Sequence, residues 1–531
     1  MLKMLYLVHQ LVCPGQQRKP AAIALKDGGR TLDYQTLHEQ TLRAGNLFLS
    51  CGLQRFERVA VYLEKRFDAV IALFGAASAG CVFVPVNPIL KPGQVGHILN
   101  DCNVKVLVTS PERLELLRPV LQAGSDLRTV VLVGEKWVDG LAGIEIVRWS
   151  ELGTLPNRLP WRVIDTDMAA ILYTSGSTGK PKGVVLSHRN LVAGAASVSQ
   201  YLDNHSDDRI LSVLPLSFDY GLSQLTTAFH AGACAVLMNY LLPRDVIRVA
   251  ERERITGLAA VPPLWIQLAR LEWPAGTDGY LRYITNSGGA MPTATLHALR
   301  AKLPKTKPFL MYGLTEAFRS TYLRPEELDR RPDSIGKAIP NAEIIVVRPD
   351  GTACGPGEEG ELVHRGALVS LGYWNDPEKT AERFKPSPGQ ADGLPMPEMA
   401  VWSGDTVKMD GDGFLYFVGR RDEMIKTSGY RVSPSEVEEV VYAVPVITEA
   451  AAVGVPHPLL GQAVVLVVFS AAWDDQVAAQ ILQVCKRELP GFMVPLRIIP
   501  RDGPLPRNPN GKIDRQRLAL ELKGLFAESN P

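Results

Sequence analysis

The sequence predicts an α/β fold in two parts. A large N-terminal domain of parallel sheets with helices carries a small β-barrel-like unit, and a small α+β domain ends the chain. Three observations lead there. At 531 residues the chain exceeds what one hydrophobic core organises. Between 56 and 300, short β-rich runs alternate with helical patterns, the signature of parallel strands joined through covering helices. After about residue 335 the helical patterns give way to strands punctuated by Pro and Gly.

The elements follow in order. The opening "MLKMLYLVHQLVCPG" is interrupted by His9 and Gln10 and has no small-residue cleavage site, so it predicts an amphipathic first helix and no signal peptide. "RVAVYLE" reads as a strand, "FDAVIALFGAASAG" as a helix, "CVFVPV" as a strand and "QVGHILNDC" as a helix. "KVLVTS", a helix over "PERLELLRPVLQA" and "TVVLVG" continue the alternation. "AEIIVVRPDGTACGPGEEGELVHRG" predicts strands joined by tight turns. A boundary falls near Asp422, dividing 1–421 from 422–531. Beyond it, "TEAAAVGVPHPLLGQAVVLVVFS" and a helix over 475–489 make a compact α+β ending, closed by a basic, turn-rich "PLPRNPNGKIDRQRL". No repeat or low-complexity tract is present.

Composition narrows the function. A net charge of +1 does not advertise nucleic acid or an anionic membrane as a partner. The longest apolar runs fall short of the roughly 20 residues that span a bilayer, so no transmembrane segment is expected. Seven scattered cysteines without a CxxC pair indicate reduced thiols in a cytoplasmic protein, not a disulfide framework or zinc site.

The densest chemistry lies in "ILYTSGSTGKPKGVVLSHRN". A P-loop would place Ser or Thr after the lysine, and Pro181 follows Lys180 instead. Even so, Gly176 and Gly179 let backbone N–H groups turn inward, and Thr174, Ser175, Ser177 and Thr178 add hydroxyl donors. Lys180 and Lys182 bring positive charge. Such a loop holds phosphate; a polar strand-to-helix connection is the plainer alternative. His188, just beyond, reads as a structural residue at a helix start.

"YTSGSTGKPKGV" resembles the signature of the AMP-forming adenylate ligases: acyl-CoA synthetases, peptide-synthetase adenylation domains and luciferases. "NSGGA" (286–290), "YGLTE" (312–316), "SGD" (403–405), "GRRDEMIKTSGYRVSPSEVE" (419–438) and "NPNGKIDR" (508–515) resemble the later motifs of that family in order and spacing. The opening residues are also similar to a subgroup of acyl-CoA ligases associated with exosortase A. The resemblance implies a reaction in two halves. A carboxylate attacks the α-phosphorus of ATP, giving an acyl adenylate and pyrophosphate. A thiol of CoA or of a carrier protein's phosphopantetheine then takes the acyl group and releases AMP.

The same resemblance implies roles. Glu316 would hold Mg²⁺, since a hard cation bridging phosphates needs a carboxylate, and Thr315 would meet the α-phosphate. Gly288, Gly289 and Ala290 match an adenine-facing stretch, although a simple turn has the same composition. Tyr312, beside Gly313, would stack on adenine or else fill the core. Asp405 would accept from both ribose hydroxyls, with Arg420 supporting it or forming a surface salt bridge. Asp410 and Asp412 read as hairpin residues. Lys512 would bridge the α-phosphate and the attacking carboxylate. The C-terminal domain would swing about Asp422 between halves, presenting Gly429 to the thiol tunnel.

The acid is written less clearly. Phe218-Asp219 resembles the "FD" of amino-acid-activating domains, where the aspartate meets an ammonium. A buried carboxylate demands a cation, so Asp219 hints at an amino acid, with a hydrogen-bonded structural aspartate as the alternative. Arg319 and Ser320 also fall near the pocket. Arg319 could bind a second carboxylate or sit in an external salt bridge. The expected function is therefore an acid–thiol ligase whose partners are a small carboxylic acid and, as acceptor, CoA or an acyl carrier protein. Rivals are an enzyme loading only a carrier protein, a catalytically silent adenylate-binding regulator and a luciferase-like oxidase.

Overall fold

A computed structural model describes residues 5–15, 19–121, 126–138, 140–154, 162–174, 181–289, 291, 293–391, 393–420, 424–444, 446–470, 472–506 and 513–527. Among these, one sheet has the spatial order Glu145–Arg148, Thr129–Leu132, Val104–Thr109, Arg58–Tyr62, Val82–Pro85, Met168–Thr174, Lys182–Ser187. All its pairings are parallel except the last, an antiparallel hairpin that brings Thr174 opposite Lys182.

A second sheet has a parallel part running Cys234–Leu237, Arg209–Ser212, Gly257–Ala260, Tyr283–Asn286, Lys307–Tyr312. Several of these strands are buried on every residue, as parallel strands covered on both faces must be. The antiparallel strands expected as a small barrel-like unit are present, and they continue this same sheet. Thr321–Leu323 and Ser334–Ala338 link Lys307–Tyr312 to the Leu415–Arg420, Met399–Met409, Glu359–Gly366 and Ala342–Val347 strands.

The Tyr34–Ser50, Phe67–Ser78, His188–Tyr201 and Asp219–Ala231 helices share one core with strands of both sheets. Phe67–Ser78 is apolar nearly all round and accordingly buried nearly all round. It lies so close to Tyr34–Ser50 that a Cβ on Gly75 would come within 2.6 Å of the Ala44 Cβ. Side chains set the helix starts: Asp33 accepts from the Thr36 amide, and Ser187 with Asn190 forms a reciprocal cap.

The chain start differs from expectation. Among the described residues it forms a short 3₁₀ turn, Val8–Val12, in place of an amphipathic helix. Gln10 folds back onto the Tyr6 and Leu7 amides, and the Val8 amide donates to His188 Nδ1 at 3.1 Å. Val8, Leu11 and Val12 are buried while His9 and Gln10 are half-buried, so the apolar face is real but the turn is held by these tertiary contacts and not by helical periodicity. Among the described residues no helix is long and apolar enough to cross a membrane.

From Ile425 onward the strands pair only with one another among the described residues. Ile447–His457 and Gly461–Ser470 form a long hairpin, joined by Arg497–Arg501 and by the Ile425–Thr427 and Tyr430–Val432 pair. The expected 475–489 helix is present as Asp475–Glu488, N-capped by Asp474. Asp422 lies outside the described residues.

Candidate active site

The candidate residues gather where parallel strands end, the place where open α/β sheets leave a crevice for ligands. Met168–Thr174 ends at Thr174, Tyr283–Asn286 runs into Ser287-Gly288-Gly289, and Lys307–Tyr312 runs into Gly313-Leu314-Thr315-Glu316. Ser175, Gly176, Ser177, Thr178, Gly179, Lys180, Ala290 and Lys512 lie outside the described residues.

Glu316 sits in a short 3₁₀ turn directly after this strand. Its Oε1 accepts from the Tyr373 hydroxyl at 2.6 Å, and its buried Oε2 has no hydrogen-bond partner among the described residues. Tyr373 arrives from a distant segment zippered onto the Lys182–Ser187 strand, through Val185 N–H to Gly372 O and Trp374 N–H to Gly183 O. Burial, and then the Glu316 carboxylate, raise the Tyr373 pKa, so the phenol stays a donor. Lys182 Nζ stands 5.4 Å from the centroid of that ring, its pKa lowered by partial burial. Lysine, phenol and carboxylate thus form one chain of contacts. Tyr373 was not foreseen; no motif marks it, because its role depends on a long-range pairing.

Asp405 is buried, and its Oδ2 accepts from the Tyr312 hydroxyl at 2.6 Å. Arg420 is its cross-strand neighbour in register. Tyr312, Gly288, Gly289 and Gly313 line a cavity of about 720 Å³ that also touches Lys426 and Arg515. Asp410 and Asp412 occupy the hairpin turn and bind Arg331, as hairpin residues would.

The acid-side residues surround a smaller cavity of about 150 Å³, lined by Phe218, Asp219, Thr315 and Arg319. Asp219 opens its helix with Phe218 as N-cap. Its Oδ2 accepts from Arg319 Nη1 at 2.8 Å, and its Oδ1 accepts from the Thr315 hydroxyl at 3.2 Å. Two expectations change here. The cation that buried Asp219 demands is Arg319, inside the chain, which removes the reason to expect a substrate ammonium. Arg319 is correspondingly buried, and among the described residues its ion pair is internal, to Asp219.

Phe318 adopts a left-handed backbone, φ 56°, and reverses the chain so that Arg319 faces the cavity. Ser320 then falls on the other side: it is buried, meets His364 Nδ1 at 3.0 Å and does not line the acid cavity. Its expected place beside the substrate is corrected accordingly. His188 is buried, its pKa lowered by burial to about 3, so it is a neutral structural group.

The hairpin of Ile425–Thr427 and Tyr430–Val432, which belongs to the C-terminal sheet, reaches this cavity. Gly429 lies at the turn with φ 82°, and a Cβ there would come within 2.8 Å of Val261 side-chain atoms. Only glycine fits both the backbone and the space. Beside it, Gln94 Nε2 donates to Glu436 Oε1 at 3.0 Å, and Tyr430 stacks on Phe492 with centroids 3.9 Å apart. These contacts were not foreseen either, since each joins residues far apart in sequence.

Comparison with known proteins agrees with this geometry. Residues 14–374 match the family described as AMP-binding enzyme, and residues 436–512 match the AMP-binding enzyme C-terminal domain. The chain is 33% identical to an L-proline–[L-prolyl-carrier protein] ligase of Streptomyces coelicolor, covering 89% of each chain. It is 30% identical to a long-chain-fatty-acid–CoA ligase of Salmonella typhimurium, covering 93% of this chain and 91% of the other. Among solved structures, an o-succinylbenzoate CoA synthetase from Bacillus subtilis superposes with a TM-score of 0.80 at 24% identity, covering 97% and 98% of the two chains. That last likeness speaks to the fold.

Proposed function

The chain belongs to the AMP-binding enzyme family and is a ligase, and from that premise we propose how its residues divide the work. A carboxylic acid enters the 150 Å³ cavity beside Thr315, and ATP lies in the adjoining 720 Å³ cavity. The acid's carboxylate oxygen bonds to the α-phosphorus as the bond to the β-phosphate bridging oxygen breaks. Pyrophosphate leaves and an acyl adenylate remains. A thiol sulfur, of CoA or of a carrier protein's phosphopantetheine, then bonds to the acyl carbon. AMP departs with the electron pair of the broken C–O bond.

The observation that carries this reading is the orphaned Glu316 Oε2. A buried carboxylate oxygen without a donor is costly unless a cation meets it. Tyr373 fixes the other oxygen, so Oε2 keeps one direction, as a Mg²⁺ ligand must. Mg²⁺ held there would neutralise charge on the departing phosphates. Lys182, beside Tyr373, adds positive charge on the same side. Tyr312 and Asp405, already hydrogen-bonded, offer a flat ring for adenine and a carboxylate for the ribose diol.

The Thr315 hydroxyl currently donates to Asp219, so turning to the α-phosphate would cost it that bond. Asp219 would then depend on Arg319 alone, which couples the filled acid cavity to the phosphate contact. Lys512 is assigned to the first half-reaction and Gly429 to the second.

The test is pyrophosphate exchange and AMP release over a broad panel of acids with ATP and Mg²⁺. AMP formation that depends on one class of acid supports the assignment. Formation of ADP, or no nucleotide turnover with any acid, overturns it.

A further inference from the structure

Arg319 is 1% exposed, yet among the described residues only one of its nitrogens makes a hydrogen bond. Nη1 donates to Asp219 Oδ2 and to Phe318 O, both at 2.8 Å. Nε and Nη2 are buried and have no hydrogen-bond partner among the described residues. These two nitrogens form the guanidinium edge that meets paired acceptors in parallel. Buried donors are nearly always satisfied in folded proteins, by protein, by ordered water or by a ligand. Arg319 is among the residues lining the acid cavity, which makes a bound acid the candidate source of the missing acceptors.

The rest of the cavity limits what that acid can be. Both oxygens of Asp219 already accept hydrogen bonds, from Thr315 and Arg319, and its charge is matched by Arg319. A substrate ammonium would meet unspent donors of its own sign. A plain alkyl chain would leave those donors unsatisfied. The guanidinium also lies 4.6 Å from the Tyr220 ring centroid, so it is held from a second side. The cavity volume of about 150 Å³ falls below the roughly 300–1,000 Å³ of ordinary ligand pockets.

Resting on the acid-activating reading above, we infer that the substrate is a short acid bearing a hydrogen-bond-accepting group beyond its reacting carboxylate, held by the Nε–Nη2 edge of Arg319. The acceptor is a second carboxylate or an uncharged carbonyl; both present the same oxygen chemistry to the fork. Arg319 is then the specificity-determining residue of the acid site.

Pyrophosphate exchange with matched acids of three to six carbons tests this. The four-carbon set would be butyrate, 4-aminobutyrate, succinate and succinamate. The acceptor-bearing acids should exceed their unsubstituted and amino counterparts by roughly 100-fold in kcat/KM, the scale on which a hydrogen-bonding site rejects an analogue lacking the group. Succinate ahead of succinamate identifies the carboxylate, and the reverse order identifies the carbonyl. Equal or better turnover of unsubstituted or amino acids overturns the inference, and means water satisfies Arg319. No exchange with any acid overturns the ligase assignment of this site instead.

In the double variant Asp219→Asn/Arg319→Gln the preference should collapse at least about tenfold, with the fold checked by circular dichroism. Arg319→Lys keeps the charge and loses the fork, so it should lose the same preference even if the double variant fails to fold. Undiminished preference in Arg319→Lys also overturns the inference.

Discussion

Glu316 and its neighbours show how single residues are committed. Tyr373 pins one oxygen and leaves the other buried with no hydrogen-bond partner among the described residues. Glu316→Gln should therefore fold normally yet lose roughly 100- to 1,000-fold in pyrophosphate exchange, the loss expected when one preorganised charge at a reacting centre is removed. Tyr373→Phe should lose less, since the carboxylate remains but its orientation is freed. Equal losses in the two variants would deny Glu316 its metal. Residues outside the site carry a different signal. His9, His188 and His364 are buried, and burial, joined for His9 by the neighbouring His38, lowers their pKa values to about 4, 3 and 4. In the unfolded chain each would titrate near 6.5. Between about pH 6.5 and 4 the unfolded state binds protons that the native state refuses, so stability falls as the pH falls. The slope should be about 1.4 kcal/mol per pH unit for each histidine. Urea midpoints at pH 7 and pH 5 measure it. His364→Asn keeps an acceptor for Ser320 and should flatten the slope by about a third.

At the scale of elements, the hairpin bearing Gly429 is the most exacting fit between the two parts of the chain. Its turn sits against Val261 and beside Gly288, where any side chain would collide. Gly429→Val should impair thioester formation about tenfold or more while pyrophosphate exchange changes little, because the thiol step is the one proposed for this hairpin at the edge of the acid cavity. Equal impairment of both halves would place Gly429 in general packing. Elements also explain what could be read in advance. The βα alternation, the strand-end motifs and the Asp475–Glu488 helix are local patterns, and each was legible as contiguous text. Tyr373 on Glu316, Gln94 on Glu436 and Arg319 on Asp219 each join segments far apart in sequence, and nothing in either partner's neighbourhood announces the other. The Val8–Val12 turn misled for a related reason. Its apolar pattern is real, but the partner that fixes its geometry is His188.

For the whole molecule, two half-reactions must share one crevice. Here the Gly429 hairpin lies at the cavity edge, and close by Gln94 donates to Glu436. The proposed adenylation lysine lies at the end of the matched C-terminal domain, 436–512, on the "NPNGKIDR" stretch that the Arg515–Glu521 helix follows. Arg515 is bound to Glu438, with Nη2 to Oε2 at 2.7 Å, which ties the Arg515–Glu521 helix to the Pro434–Tyr442 helix. If Lys512 and Gly429 serve different halves, damage to one should spare the other. Lys512→Ala should abolish pyrophosphate exchange yet still form thioester from a supplied acyl adenylate. Gly429→Val should show the opposite pattern. Mixing the two variants adds a stricter check. The Gly429→Val protein would make and release adenylate, and the Lys512→Ala protein would capture it, so the pair should yield more thioester than either alone. Such rescue requires that the lysine act only before the adenylate forms. Loss of both halves in Lys512→Ala would instead mean that a single arrangement of the domains performs the whole reaction.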